Sequence, residues 1–154
     1  MLSCIGYSQE TLSALLKTYN KESVPYISVQ ELAMPKTKAI LLDAREIEEY
    51  EVSHIKGAIF VGYSTFNLED VALSFPNLNT NIVVYCSLGV RSETIAEQLK
   101  KRGYTNVYNL FGGIFEWKNN NFPVYNSEEK ETEHIHAYSK AWSKWLIKGK
   151  KIYE

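Results

Sequence analysis

Three short, continuous apolar runs limit what this chain can fold into: residues 39–42 (AILL), 58–61 (AIFV) and 82–85 (IVVY). Each has the length of a strand, and none alternates apolar with polar residues. That pattern belongs to strands covered on both faces, as in a parallel sheet between layers of helices. Residues 25–27 and 107–110 supply two more extended pieces. Helical segments separate these runs. Residues 8–19 put Leu12, Leu15, Leu16 and Tyr19 on one face, and Ser28 with Glu31 forms a capping box for a short helix ending near Pro35. Further helices are predicted over 46–51, 67–75 and 92–102, the last with Ile95, Ala96 and Leu99 inward and Gly103 as its stop, and over 114–118 after Gly112-Gly113. Strands alternating with helices predict an α/β fold with a mainly parallel sheet. In such sheets functional sites lie beyond the carboxyl ends of the strands.

The 154 residues suit one domain with its own core, and 45% hydrophobic with 23% charged residues is an ordinary globular balance. Residues 1–24 read as an N-terminal helical segment and 25–125 as the main domain. Residues 126–133 (NSEEKETE) read as a polar linker, and 134–154 as a basic, aromatic helical extension. In that extension Tyr138, Trp142, Trp145 and Leu146 share one helical face and Lys140, Lys144 and Lys148 another. The aromatic face is expected to pack back on the domain, ahead of serving as a subunit interface or a membrane contact; near the active loop it would shape the entrance. A net charge of −1 gives no electrostatic footprint for nucleic acid. No stretch has the length of a membrane span and no signal peptide is visible, although the opening MLSC resembles the end of a lipoprotein cleavage site. Two cysteines, Cys4 and Cys86, suit a reducing compartment, and a cytoplasmic location is expected. Cys4 reads as incidental. His134 and His136 lack a matching cluster of ligands, so no metal is expected.

Cys86 has the address of a reactive residue. The segment CSLGVRS, residues 86–92, leaves a buried strand, turns at Gly89 and enters a helix. A thiolate is the nucleophilic form of cysteine. Amides from Ser87 to Ser92 curled around the sulfur, a helix N-terminus and the Arg91 guanidinium all favour an anion there.

CSLGVRS resembles the active-site loop of the rhodanese family of sulfurtransferases. Other landmarks stand in the family's order: Asp43-Ala44-Arg45 after the second strand, His54-Ile55-Lys56-Gly57-Ala58 into the third, and Gly112-Gly113-Ile114 with Trp117 ahead of Pro123-Val124. The resemblance spans roughly residues 25–125. It implies a single-domain, three-layer fold on a five-stranded sheet and a cysteine persulfide on Cys86. Cys86 would take sulfur from thiosulfate or a related donor, such as mercaptopyruvate or a persulfide, and pass it to a thiol, a protein acceptor or cyanide. No cofactor is implied. Arg91 would bind the donor's sulfonate, and Ser87, Leu88, Gly89, Val90 and Ser92 would contribute mainly N–H groups. Asp43, Arg45 and His54 are expected to support the site, with His54 fixing the loop geometry. The four residues between Cys86 and Arg91 make a tighter ring than that of the tyrosine phosphatases. A phosphatase or arsenate reductase therefore ranks below a sulfurtransferase, as does a non-catalytic module on the same fold. Monomer and homodimer both remain open.

Overall fold

The computed structural model describes residues 10–154. Cys4 and the start of the 8–19 helix lie outside the described residues. The chain runs α1 (Leu12–Tyr19), β1 (Tyr26–Ile27), α2 (Val29–Ala33), β2 (Ile40–Asp43), α3 (Ile47–Val52), β3 (Ile59–Phe60), α4 (Leu68–Ser74) and β4 (Asn81–Tyr85). It continues through α5 (Arg91–Arg102), β5 (Asn106–Leu110) and α6 (Gly113–Asn119). Beyond these lie β6 (Val124–Tyr125), β7 (Glu131–Thr132), β8 (His134–His136), α7 (Lys140–Ser143) and β9 (Lys150–Ile152).

The five-stranded sheet has the order β1-β5-β4-β2-β3 and is parallel throughout. Successive side chains of a strand point to opposite faces, so the apolar runs build two cores. Leu42, Ile82 and Val84 pack with Val71 of α4 and with Ile95, Ala96 and Leu99 of α5. Leu41, Val83 and Tyr85 pack with Val29 of α2 and with Ile114, Phe115 and Trp117 of α6. This is the three-layer arrangement expected. Local signals set the helix ends: Ser28 Oγ accepts from Glu31 N–H at 3.1 Å, and Gly103 stops α5 in the left-handed region at φ 118°.

The C-terminal stretch corrects the sequence reading. The segment expected to be a polar linker forms an antiparallel hairpin, β6 with β7, whose turn is held by Asn126 Oδ1 accepting from the N–H groups of Glu128 and Lys130. The expected long helix is one short helical turn between two strands, β8 and β9, which pair in parallel. The spacing of Tyr138, Trp142, Trp145 and Leu146 mimics a helix. Ser139 starts the turn late, as the N-cap accepting from Trp142 N–H, and Gly149 at φ 89° ends the connection. The unit does pack back on the domain: Ile135 and Leu146 are buried in the core that holds Ile114 and Trp117. No described helix is long and apolar enough to cross a membrane.

At the carboxyl end of the sheet Asp43 and Arg45 form a fully buried ion pair. Arg45 Nη2 donates to Asp43 Oδ2 at 2.7 Å and to the Ser53 carbonyl at 2.6 Å, and Tyr85 Oη donates to the same Asp43 oxygen at 2.6 Å. Removing one partner of such a pair strands a buried charge, which costs about 3–5 kcal/mol. Asp43→Ala is therefore expected to lower stability by that amount, read as a lower urea midpoint at unchanged slope.

Candidate active site

Cys86 follows the last residue of central strand β4 and is buried at 1% exposure. Its Sγ accepts from Gly89 N–H at 3.1 Å. Gly89 makes that approach at φ 115°, a conformation open to glycine. Of the loop amides expected to ring the sulfur, only the Gly89 N–H hydrogen-bonds to it among the described residues. The loop carbonyls are pinned from outside. Ile114 and Phe115, at the start of α6, donate to the carbonyls of Cys86 and Ser87 at 3.0 and 3.2 Å. Gly113 permits that closeness, since a Cβ there would stand 2.4 Å from the Cys86 carbonyl oxygen.

Two asparagines absent from the sequence reading organise the loop. Asn20 Nδ2 and Asn109 Nδ2 both donate to the Gly89 carbonyl at 2.9 Å. A carbonyl only accepts, so the amide group of Asn109 is fixed toward Gly89 and its Oδ1 toward Ser92. The single hydroxyl hydrogen of Ser92 then goes to Asn109 Oδ1, at 2.6 Å. Ser92 Oγ also lies 3.3 Å from Cys86 Sγ, so its hydroxyl stands between the sulfur and Asn109. Ser92 thus meets the sulfur through its side chain, where a backbone N–H was expected. A signal for Asn109 was present, because a buried amide inside a strand demands partners.

Arg91 does not present a free fork. Its Nη1 donates to Glu49 Oε2 at 2.7 Å, and its Nη2 donates to Glu49 Oε1 at 2.8 Å and Ser87 Oγ at 3.0 Å. The Tyr138 ring covers the guanidinium at 4.3 Å. Burial alone would depress the Arg91 pKa, but the bonds to Glu49 and the field of Cys86 reverse it, and the group is held above its ordinary value. Burial likewise pushes Glu49 up, yet the Arg91 bonds and charge outweigh it and hold the carboxyl below the usual range. Glu49 also accepts the Glu46 N–H at 2.8 Å as one arm of the α3 capping box. In REIEEYE, residues 45–51, nothing local separates Glu49 from its neighbouring glutamates; only the tertiary fold selects it.

Of the expected supporting residues, Asp43 and Arg45 lie in the buried pair at the strand ends. His54 lies further off. Its ring stacks on Tyr50 at 4.1 Å, with Nε2 2.9 Å from Glu129 Oε1 and Nδ1 3.2 Å from the Tyr50 carbonyl. No hydrogen bond of His54 reaches the 86–92 loop among the described residues. It ties α3, the helix that carries Glu49, to the β6–β7 hairpin.

A pocket of about 80 Å³ opens on the sulfur, lined by Cys86, Ser87, Leu88, Val90, Arg91, Tyr138 and Trp142. Its outer wall is the C-terminal unit. Tyr138 holds a left-handed φ of 67°, stabilised by its N–H donating to His136 Nδ1 at 3.0 Å. Burial, ahead of the neighbouring charges, depresses His136, in keeping with a neutral ring that accepts. No group of three or more metal-ligating side chains occurs among the described residues.

The sequence profile of the rhodanese-like domain family matches residues 28–120. A Bacillus subtilis protein named "Putative sulfur carrier protein YrkF" is 34% identical over 101 residues, covering 64% of this chain and 53% of that protein. The tRNA uridine(34) hydroxylase of Aster yellows witches'-broom phytoplasma is 34% identical over 102 residues, covering 63% of this chain and 33% of that one. The chain thus spans about half or less of the length of these relatives. Among solved structures, thiosulfate sulfurtransferase from Pseudomonas aeruginosa superposes with a TM-score of 0.63 at 24% identity, covering 86% of this chain and 25% of that one, which is a likeness of fold. A rhodanese-like domain protein from Staphylococcus aureus superposes with a TM-score of 0.53 at 27% identity, covering 60% and 90%.

The depressed Glu49 pKa carries a linkage prediction. Its stabilising contribution is complete above the unfolded pKa of about 4.3 and is lost as pH falls through the lower folded value. The stability advantage of the natural chain over Glu49→Gln should therefore shrink below about pH 4, as read from urea midpoints of both proteins across acid pH.

Proposed function

We propose, from the premise that this chain belongs to the rhodanese-like domain family, that it is a sulfurtransferase carrying sulfane sulfur as a persulfide on Cys86. The carrying observation is the placement of Sγ: at the carboxyl end of β4, at the base of a pocket, with Gly89 N–H 3.1 Å away. An amide there stabilises the thiolate before attack, and the pinned loop keeps it in place without reorganisation. The relative named as a sulfur carrier is consistent with sulfur-transfer chemistry.

Transfer is a two-step covalent exchange. Cys86 sulfur attacks the outer sulfur of a donor, the donor's S–S bond breaks, and its electron pair leaves with the departing group. With thiosulfate the products are sulfite and the Cys86 persulfide. An acceptor thiolate or cyanide then attacks the outer sulfur and returns Cys86 to its starting form. The residues named here complete the exchange without a cofactor, and a thiol that must stay free fits a reducing, cytoplasmic compartment. Arg91 contributes a loop geometry fixed through Glu49 and Ser87. Asp43 and Arg45 fix the strand ends beneath it.

Burial of Cys86 under Tyr138 and Trp142 favours one second reading, a non-catalytic module of the same fold. Intact-protein mass spectrometry separates the two. Incubation with a sulfane-sulfur donor should add one sulfur atom to the natural chain, cyanide should remove it, and Cys86→Ser should never gain it. Failure to load from both thiosulfate and a hydropersulfide supports the binding module.

A further inference from the structure

We propose that Glu49 cancels the charge of the active loop and fits the pocket to a neutral or singly charged hydropersulfide in preference to dianionic thiosulfate; this rests on the sulfur-transfer function proposed above. Arg91 is the one charged residue among the described lining residues of the pocket. Its capacity for an oxyanion lies in the plane of the guanidinium, where paired N–H groups match two oxygens. Glu49 takes that arrangement, with Nη1 and Nη2 donating to its two oxygens at 2.7 and 2.8 Å. The same Nη2 also donates to Ser87 Oγ, and the Tyr138 ring covers the face of the guanidinium. A sulfonate and the Glu49 carboxylate compete for one fork.

Glu49 cannot readily yield it. The residue is 2% exposed, its Oε2 holds the Glu46 N–H at 2.8 Å, and its Oε1 lies 3.2 Å from Ser87 Oγ. Moving the carboxylate away would break the start of α3 and leave a buried charge alone. Thiosulfate therefore meets a site whose cation is already paired, with its two-pronged face taken by a carboxylate. A hydropersulfide, R–S–SH, brings at most one charge. Its slender S–S–CH₂ tip suits an opening of about 80 Å³ walled by Leu88, Val90, Tyr138 and Trp142. The Cys86 thiolate attacks the terminal sulfur, the S–S bond of the donor breaks, and RS⁻ leaves with the electron pair. Overall, Cys86–SH and R–S–SH give Cys86–S–SH and R–SH, the proton of Cys86 ending on the departing thiol.

The test is single-turnover loading of Cys86, followed by intact mass, with thiosulfate and with cysteine hydropersulfide as donors. The natural chain should load at least about tenfold faster from the hydropersulfide. Glu49→Gln should raise the thiosulfate-to-hydropersulfide ratio of loading rates about tenfold. A ratio that falls or stays constant overturns the proposal and makes Glu49 a brace that holds Arg91 ready for the sulfonate. A second measurement uses the unmutated chain. With Arg91 neutralised, thiosulfate loading should be nearly independent of salt from about 0.01 M to about 1 M, whereas a steep fall would show an open cation and overturn the assignment. Loading from neither donor defeats sulfur transfer itself, an outcome distinct from rapid loading by thiosulfate.

Discussion

A guanidinium with no access to water must be paired where it stands, and Arg45 meets that demand in a way that positions much of the site. It is completely buried and binds Asp43 at the end of β2 and the Ser53 carbonyl at the C-cap of α3. Tyr85, the residue before Cys86, adds its hydroxyl to the same carboxylate and takes the Ile55 N–H at 3.2 Å. One buried charge thus joins two central strands to both the end of α3 and the chain that leaves it. The pairing is imperfect, since Arg45 Nη1 and Ser53 Oγ are buried without partners among the described residues. Buried ion pairs of this kind contribute little net stability. What this one supplies is geometry.

That geometry propagates to the loop. With its far end fastened by Arg45 and its near end by the Glu46–Glu49 capping box, α3 presents Glu49 at a fixed place. Glu49 fixes Arg91, and Arg91 fixes Ser87. From the other side, Asn20 and Asn109 hold the Gly89 carbonyl, and α6 holds those of Cys86 and Ser87. Few bonds involve the sulfur itself. The loop's curvature is imposed by its backbone partners, leaving the sulfur free of any structural task.

The layered sheet was legible because strands buried on both faces leave uninterrupted apolar runs, and the loop because a cysteine, a glycine and an arginine between a strand and a helix have a shared chemical purpose. Glu49 and Asn20 were not legible. Their partners lie far along the chain, and locally they resemble any helix glutamate or any helix-ending asparagine. The partner of Arg91 was hidden for the same reason: a fork suited to a substrate anion is equally suited to a carboxylate brought there by the fold. The C-terminal stretch failed differently. Its aromatic spacing fits a helical period, while the strands at its ends have meaning only through pairing with each other.

The C-terminal unit lies beyond residue 120, where the match to the family profile stops, yet Tyr138 and Trp142 form part of the wall over the sulfur. The opening over Cys86 is thereby shared between the loop and a separate stretch of chain. A different side chain at 138 or 142 would reshape the opening over Cys86 while the residues of β4, the loop and α5 stay as they are.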